Sequence, residues 1–141
     1  MSAPQPTSKN RTSLKIHLAY RFLLALNTLN QKRSAFDHTQ NHKRSNRVKI
    51  AAYASMASVV GPRRAWSRAI LWKIRNRCVL TRNKKRVHHI TTSLQVKLRK
   101  LVPGAETMDP CGLLDETADY IKHLATQVEV MKTLVDLYST V

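Results

Sequence analysis

Between Arg63 and Lys100 the chain carries thirteen Lys and Arg and no Asp or Glu. Side chains of that kind, crowded without counter-charge, meet phosphate or an acidic protein surface. The rest of the inventory contains little reactive chemistry. No nucleophile and base stand in a recognisable pair, no Gly-rich run is built to cradle phosphate, and no carboxylates pair in a cleft-like context, so no catalytic residue and no enzyme activity are expected. His38, His42, His88 and His89 have no Cys or acid at ligand spacing, so neither a metal nor another cofactor is expected. Cys78 and Cys111 are too few and too unpatterned for a disulfide framework, which points to a reducing compartment. Trp66 and Trp72 are interleaved with Arg. They lie six residues apart, off a common helical face, so packing is a better reading for them than base stacking.

The charge is divided along the chain. Residues 1–103 hold 23 Lys and Arg with Asp37 as the lone acid, whereas residues 104–141 hold Lys122 and Lys132 against seven acids, so +22 is followed by −5 within a total of +17. At 141 residues there is room for one modest domain and tails. The most apolar short run, Phe22 to Leu26, is far too short to span a membrane, and a soluble chain is expected.

The elements that must position these charges read as all-α. Residues 1–12 are polar with Pro4 and Pro6 and read as a disordered tail. Leu14, Leu18, Phe22, Ala25 and Leu29 recur at helical spacing, giving a short amphipathic helix from Ser13 within an N-terminal helical region, 13–60. Residues 30–46 have linker composition. The Ala-rich segment from Val48 to Val60 predicts a second helix ending at Gly61-Pro62, with Pro62 suited to the first turn of the next. No Pro or Gly then appears before Pro103, so one long basic helix, or two with a bend, can run through the cationic stretch.

Val87, Ile90, Leu94, Leu98 and Leu101 form an apolar stripe that stops at Pro103-Gly104. Asp109-Pro110 offers an N-cap carboxylate followed by Pro at the first helical position, and Asp115, Glu116 and Asp119 suit the positive end of that helix's dipole. From there Leu114, Thr117, Ile121, Leu124, Val128, Met131, Val135 and Tyr138 alternate spacings of three and four, as in a coiled-coil seam. Two striped helices joined by a short loop are expected to bury their seams against a partner of the same kind. The alternative is an intramolecular core in which the helix from Ser13 to Leu29 fills the seam.

The segment Leu98-x-x-Leu101-Val102-Pro103-Gly104, then Asp109, then Leu113-Leu114-Asp115-Glu116-Thr117-Ala118-Asp119-Tyr120-Ile121-x-x-Leu124-x-x-Gln127-Val128 resembles the helix-loop-helix region of plant basic helix-loop-helix (bHLH) transcription factors. The likeness covers residues 87–138. The preceding run from Arg63-Arg64-Ala65-Trp66 to Leu71-Trp72-Lys73-Ile74-Arg75 is similar to the atypical, non-DNA-binding subgroup described as growth repressors in brassinosteroid signalling. DNA-reading members place His, Glu and Arg four residues apart on the basic helix. Counting back from Pro103, those positions fall on Val79 or Leu80, on Asn83 or Lys84, and on Val87 or His88. A carboxylate accepts from a cytosine amino group and Lys cannot, and each lost base contact removes about 1 to 3 kcal/mol of discrimination.

The resemblance therefore implies an atypical basic region at 63–86 and a helix-loop-helix at 87–138. Val87, Ile90, Leu94, Leu98, Leu101, Val102, Leu113, Leu114, Tyr120, Ile121, Leu124, Val128, Met131 and Val135 are the dimerisation residues it points to. Arg82, Lys84, Lys85 and Arg86 are expected to serve nuclear import or phosphate contact. The expected partners are other bHLH proteins as heterodimers, with a homodimer possible in principle and DNA binding weak or absent; no membrane and no small-molecule substrate are expected. The expected role is nuclear repression of cell elongation in brassinosteroid and gibberellin responses, by keeping bHLH partners from the CANNTG E-box. Two alternatives stand beside it: a DNA-binding factor of non-E-box specificity, and an organelle ribosomal or RNA-binding protein, for which the acid-free first 36 residues leave room.

Overall fold

Among the residues that the computed structural model describes, 7–31, 41–76 and 93–140, every regular element is helical. Helix α1 spans Thr7–Gln31, α2 Asn41–Val60, α3 Ala65–Arg75, α4 Leu94–Leu101 and α5 Pro110–Ser139, with a short 3-10 turn at Gly61–Arg63. The all-α expectation is met.

Three boundaries differ from the sequence expectation. Helix α1 begins at Thr7, so residues 7–12 are helical rather than tail; Ser8, Lys9, Asn10 and Arg11 follow Pro6 without another Pro or Gly, and nothing there stops helix propagation. The expected linker at 30–46 loses both ends to α1 and α2, and α2 starts at Asn41. The cationic stretch, expected as one long helix or two with a bend, is not one continuous helix. Helix α3 stops at Arg75, where Asn76 caps it by returning its backbone N–H to the Trp72 carbonyl, and α4 is a separate element. The expectations on residues 77–92, which include Arg82, Lys84, Lys85, Arg86, Val87, Ile90 and Cys78, lie outside the described residues.

The expected stops are present. Gly61 has φ +66°, the left-handed region that Gly occupies cheaply, and it ends α2. Pro62 sits in the 3-10 turn, and α3 begins at Ala65 with Arg64 at its N-cap position. Asp109 caps α5 by accepting from the Gly112 N–H at 3.2 Å, with Pro110 at the first helical position.

Helices α1, α2, α3 and α5 share one core. Leu18 and Phe22 enter from α1, Met56 from α2, Trp66 and Ile70 from α3, and Leu113, Tyr120 and Val130 from α5. Helix α2 contributes mainly small side chains, Ala51, Ala52, Ser55 and Ala57, which let its backbone approach its neighbours closely. The Ser55 hydroxyl is satisfied locally by donating to the Ala51 carbonyl at 2.6 Å. Val102 and Ala105 of the α4–α5 loop are buried as well. No described helix is long and apolar enough to cross a membrane.

Candidate interaction surface on the C-terminal helix

An α-helix turns about 100° per residue, so a series repeating every seven residues keeps nearly one face and drifts only about 20° per repeat. Two such series run side by side on α5. Leu113, Tyr120, Gln127 and Leu134 form the inner one: the first three are buried and Leu134 packs against the core. One residue further on, Leu114, Ile121, Val128 and Val135 form the outer one, and these are 65%, 57%, 62% and 63% exposed. Thr117, Leu124 and Met131 fall between the two faces. Thr117 is buried, and Leu124 and Met131 are half-buried.

The inner face is held by a polar lock as well as by packing. Arg64 has no side chain that can accept the first N–H groups of α3, which sequence alone leaves unmet. Glu116 of α5 supplies the acceptors, taking the Ala65 and Trp66 backbone N–H groups at 3.3 Å each. Its negative charge also faces the positive end of the α3 dipole. Arg64 reaches across to Asp115 at 2.6 Å and Asp119 at 3.5 Å. The hydrogen bond to Asp115 leads the effects that hold the Arg64 guanidinium above its ordinary value. Trp66, fully buried, donates its indole N–H to Asp119 at 2.8 Å. Its ring lies 5.2 Å from that of Tyr120 and 5.3 Å from that of His123. Burial, with Tyr53 as neighbour and hydrogen-bond partner, pushes the Tyr120 phenol well above its usual range.

Gly104 completes the lock from the loop. It has φ +74°, and a Cβ placed there would stand 2.9 Å from the Ala65 carbonyl oxygen and 3.1 Å from the Ala69 Cβ. The loop therefore lies against α3 in a way only Gly permits. Lys15 of α1 meets Glu129 of α5 at 2.9 Å, and that contact holds the Glu129 carboxyl below its ordinary value.

The residues expected to form one dimer seam are thus divided. Val102, Leu113 and Tyr120 belong to the intramolecular core. Leu114, Ile121, Val128 and Val135 face outward, as do Leu94 and Leu101 of α4 at 83% and 72% exposure. Leu98, Leu124 and Met131 pack at the edge of the core. The start of the cationic stretch is not a free basic helix: Arg64 and Trp66 are bound into the bundle, while Arg63, Arg68, Lys73 and Arg75 remain exposed. Trp66 and Trp72 divide as their spacing implied, since Trp66 is core and Trp72 is 56% exposed. The Glu116 cap and the Asp119 acceptor escaped sequence reasoning, which assigned both acids to the dipole of their own helix. The available signal was an acidic trio in a basic chain with Arg63-Arg64 next to an uncapped helix start. Among the described residues no cluster of three or more His, Cys, Asp or Glu is arranged to hold a metal.

Fold and surface define a class: a small all-α protein whose last helix closes an N-terminal bundle with one face and offers an apolar heptad on another. Comparisons narrow it. Residues 12–78 match the model of the IBH1-like, N-terminal domain. The chain is 34% identical over 163 residues to transcription factor IBH1 of Oryza sativa subsp. japonica, covering 86% of this chain and 78% of that one. It is 28% identical to transcription factor IBH1-like 1 of Arabidopsis thaliana over 74% and 83% of the two. A shorter likeness, 49% over 37 residues, links 26% of the chain to 9% of transcription factor LATE FLOWERING of Oryza sativa subsp. japonica. The chain belongs to the IBH1-like family of plant proteins. No solved structure matches it.

Proposed function

We propose that the chain is an atypical helix-loop-helix transcriptional regulator of the nucleus that pairs with bHLH proteins through the outer face of α5 and keeps them from the E-box. One observation carries the reading: Leu114, Ile121, Val128 and Val135 stay exposed in heptad register after the inner series has been used by the chain itself. Each of these side chains, taken fully out of water, contributes about 1.5 to 3 kcal/mol, enough in combination to drive association. Transcription factor names among relatives of both rice and Arabidopsis support a regulatory role.

Repression follows from the sequence of the basic region, where Asn83 or Lys84 stands at the position of the base-reading Glu. A partner locked to such a chain has one competent reading helix and loses half of its base contacts. Repression of cell elongation in brassinosteroid and gibberellin responses is the role that the subgroup resemblance adds. The test is co-purification against a panel of bHLH proteins, followed by competition on a CANNTG duplex at physiological salt. Capture of a bHLH partner with loss of its E-box complex is expected. Binding of the purified chain to CANNTG much tighter than to a scrambled duplex would contradict the reading.

A further inference from the structure

Between α2 and α5 lies a cavity of 420 Å³, within the range of small-molecule sites. Its apolar wall comes from Val48, Met56, Leu124, Val128 and Met131. Ser45, Lys49 and Tyr53 also bring polar groups to the wall, but Gln127 is the polar side chain that is buried there, at 2% exposed. Both Nε2 and Oε1 of its carboxamide are buried, and neither has a hydrogen-bond partner among the described residues.

The other buried polar side chains of α5 do not share this condition. Thr117 and Thr126 donate to the carbonyls one turn back, at 2.6 Å and 2.8 Å, His123 meets the Asp119 carbonyl at 2.8 Å, and Glu116 accepts from α3. An unmatched buried polar group costs about 1 to 3 kcal/mol, so an orphaned carboxamide beside a cavity of ligand size marks a place where a ligand can supply what the protein does not.

The required chemistry follows from the group. A carboxamide presents a donor and an acceptor in one plane, and both are satisfied together by a ligand that also carries both. A carboxylate can only accept and an ammonium can only donate, so either leaves half of Gln127 unmatched. Lys49 also lines the cavity but is exposed, so a carboxylate paired with it stays in high dielectric and gains little.

We infer that the α2–α5 cavity is a binding site for a compact, mostly apolar molecule bearing one carboxamide or lactam head, which pairs with Gln127 while the body lies on Met56, Leu124 and Met131. The site needs only α2 and α5, so it stands whether or not the outer face pairs with a bHLH protein. Val128 belongs to both cavity wall and outer series, so occupancy changes the surface that a partner helix would meet.

Three probes with one hydrocarbon body test this on the full chain: hydrocinnamamide, hydrocinnamate and benzylacetone, titrated while the protein's NMR spectrum is followed. The amide should bind about tenfold tighter than the ketone or the carboxylate, the difference expected for one additional satisfied buried group. Gln127→Met should remove that preference and keep weak binding of all three. Val128→Trp, at an exposed position of the wall, should block all three with the fold intact, which separates loss of the site from loss of folding. Equal binding of the probes, a tighter carboxylate, an amide preference that survives in Gln127→Met, or no saturable binding of the amide would each overturn the inference.

Discussion

Leu113, Tyr120 and Gln127 share a seven-residue rhythm with their immediate neighbours Leu114, Ile121 and Val128, yet the first set is buried and the second is open to water. The difference is about 100° of helix rotation. On the inner side α5 meets helices of its own chain, which supply Trp66, Phe22 and Met56 as packing partners and the α3 N-terminus as a ligand for Glu116. On the outer side nothing in the described chain plays that part. One helix thus carries two seams with different occupants, and periodicity alone merges them, because a stripe one residue wide on each face reads as a single broad stripe.

The largest effect expected from breaking the inner side comes from Trp66. Trp66→Ala removes a fully buried ring at the junction of α3 and α5 and should cost about 3 to 5 kcal/mol in urea unfolding. Trp72→Ala, at an exposed site on the same helix, should stay within about 0.5 kcal/mol of the native chain. Equal costs would mean that α3 does not dock as described.

The outer side is broken without touching the inner one by Ile121→Asp. Capture of a bHLH partner should weaken by at least about 2 kcal/mol, roughly thirtyfold in Kd, while the melting temperature stays that of the native chain. Lys132→Ala, on an exposed position, should change neither. Leu124→Asp is a less selective variant, since Leu124 packs against the core and lines the α2–α5 cavity, and it should lower both stability and capture.

A smaller effect is expected at the polar lock. Glu116→Ala leaves the Ala65 and Trp66 N–H groups without their acceptor and should destabilise by about 1 to 3 kcal/mol, read by chemical denaturation. The smallest lies at the rim. The Glu129 carboxyl is held below its ordinary value by Lys15, so its contribution is present above the unfolded carboxylate's pKa and is lost as pH falls through the lower folded value. The melting-temperature gap between the native chain and Glu129→Gln should therefore be present at neutral pH and close on acidification. A gap that widens toward acid would reverse the assignment.

Much of the fold was legible because its signals are local. The stop at Gly61-Pro62, the Asp109-Pro110 start and the Pro103-Gly104 break are each decided by a residue's own backbone limits, and the structure has all three. The break at Asn76 was not legible. A run free of Pro and Gly permits a long helix without requiring one, and Asn76 closes α3 with no breaker in sequence. The division of the dimer residues was hidden for a different reason. Leu113 and Leu114 are the same residue type side by side, and what separates them is where α1, α2 and α3 lie, which is tertiary information. The N-terminal helices, among them the one that the intramolecular alternative named, pack on the inner face, and the outer series remains exposed.

The most direct test of the two-sided helix compares two single thiols, Val128→Cys and Val130→Cys, in a chain whose Cys78 and Cys111 have been replaced by Ser. Val128 is 62% exposed and Val130 2%, although they are two residues apart. Labelling should be fast at position 128 and slow at 130, and a captured bHLH partner should slow position 128 while leaving 130 unchanged. Equal labelling of the two positions, or a rate at 128 that a bound partner does not alter, would contradict the account.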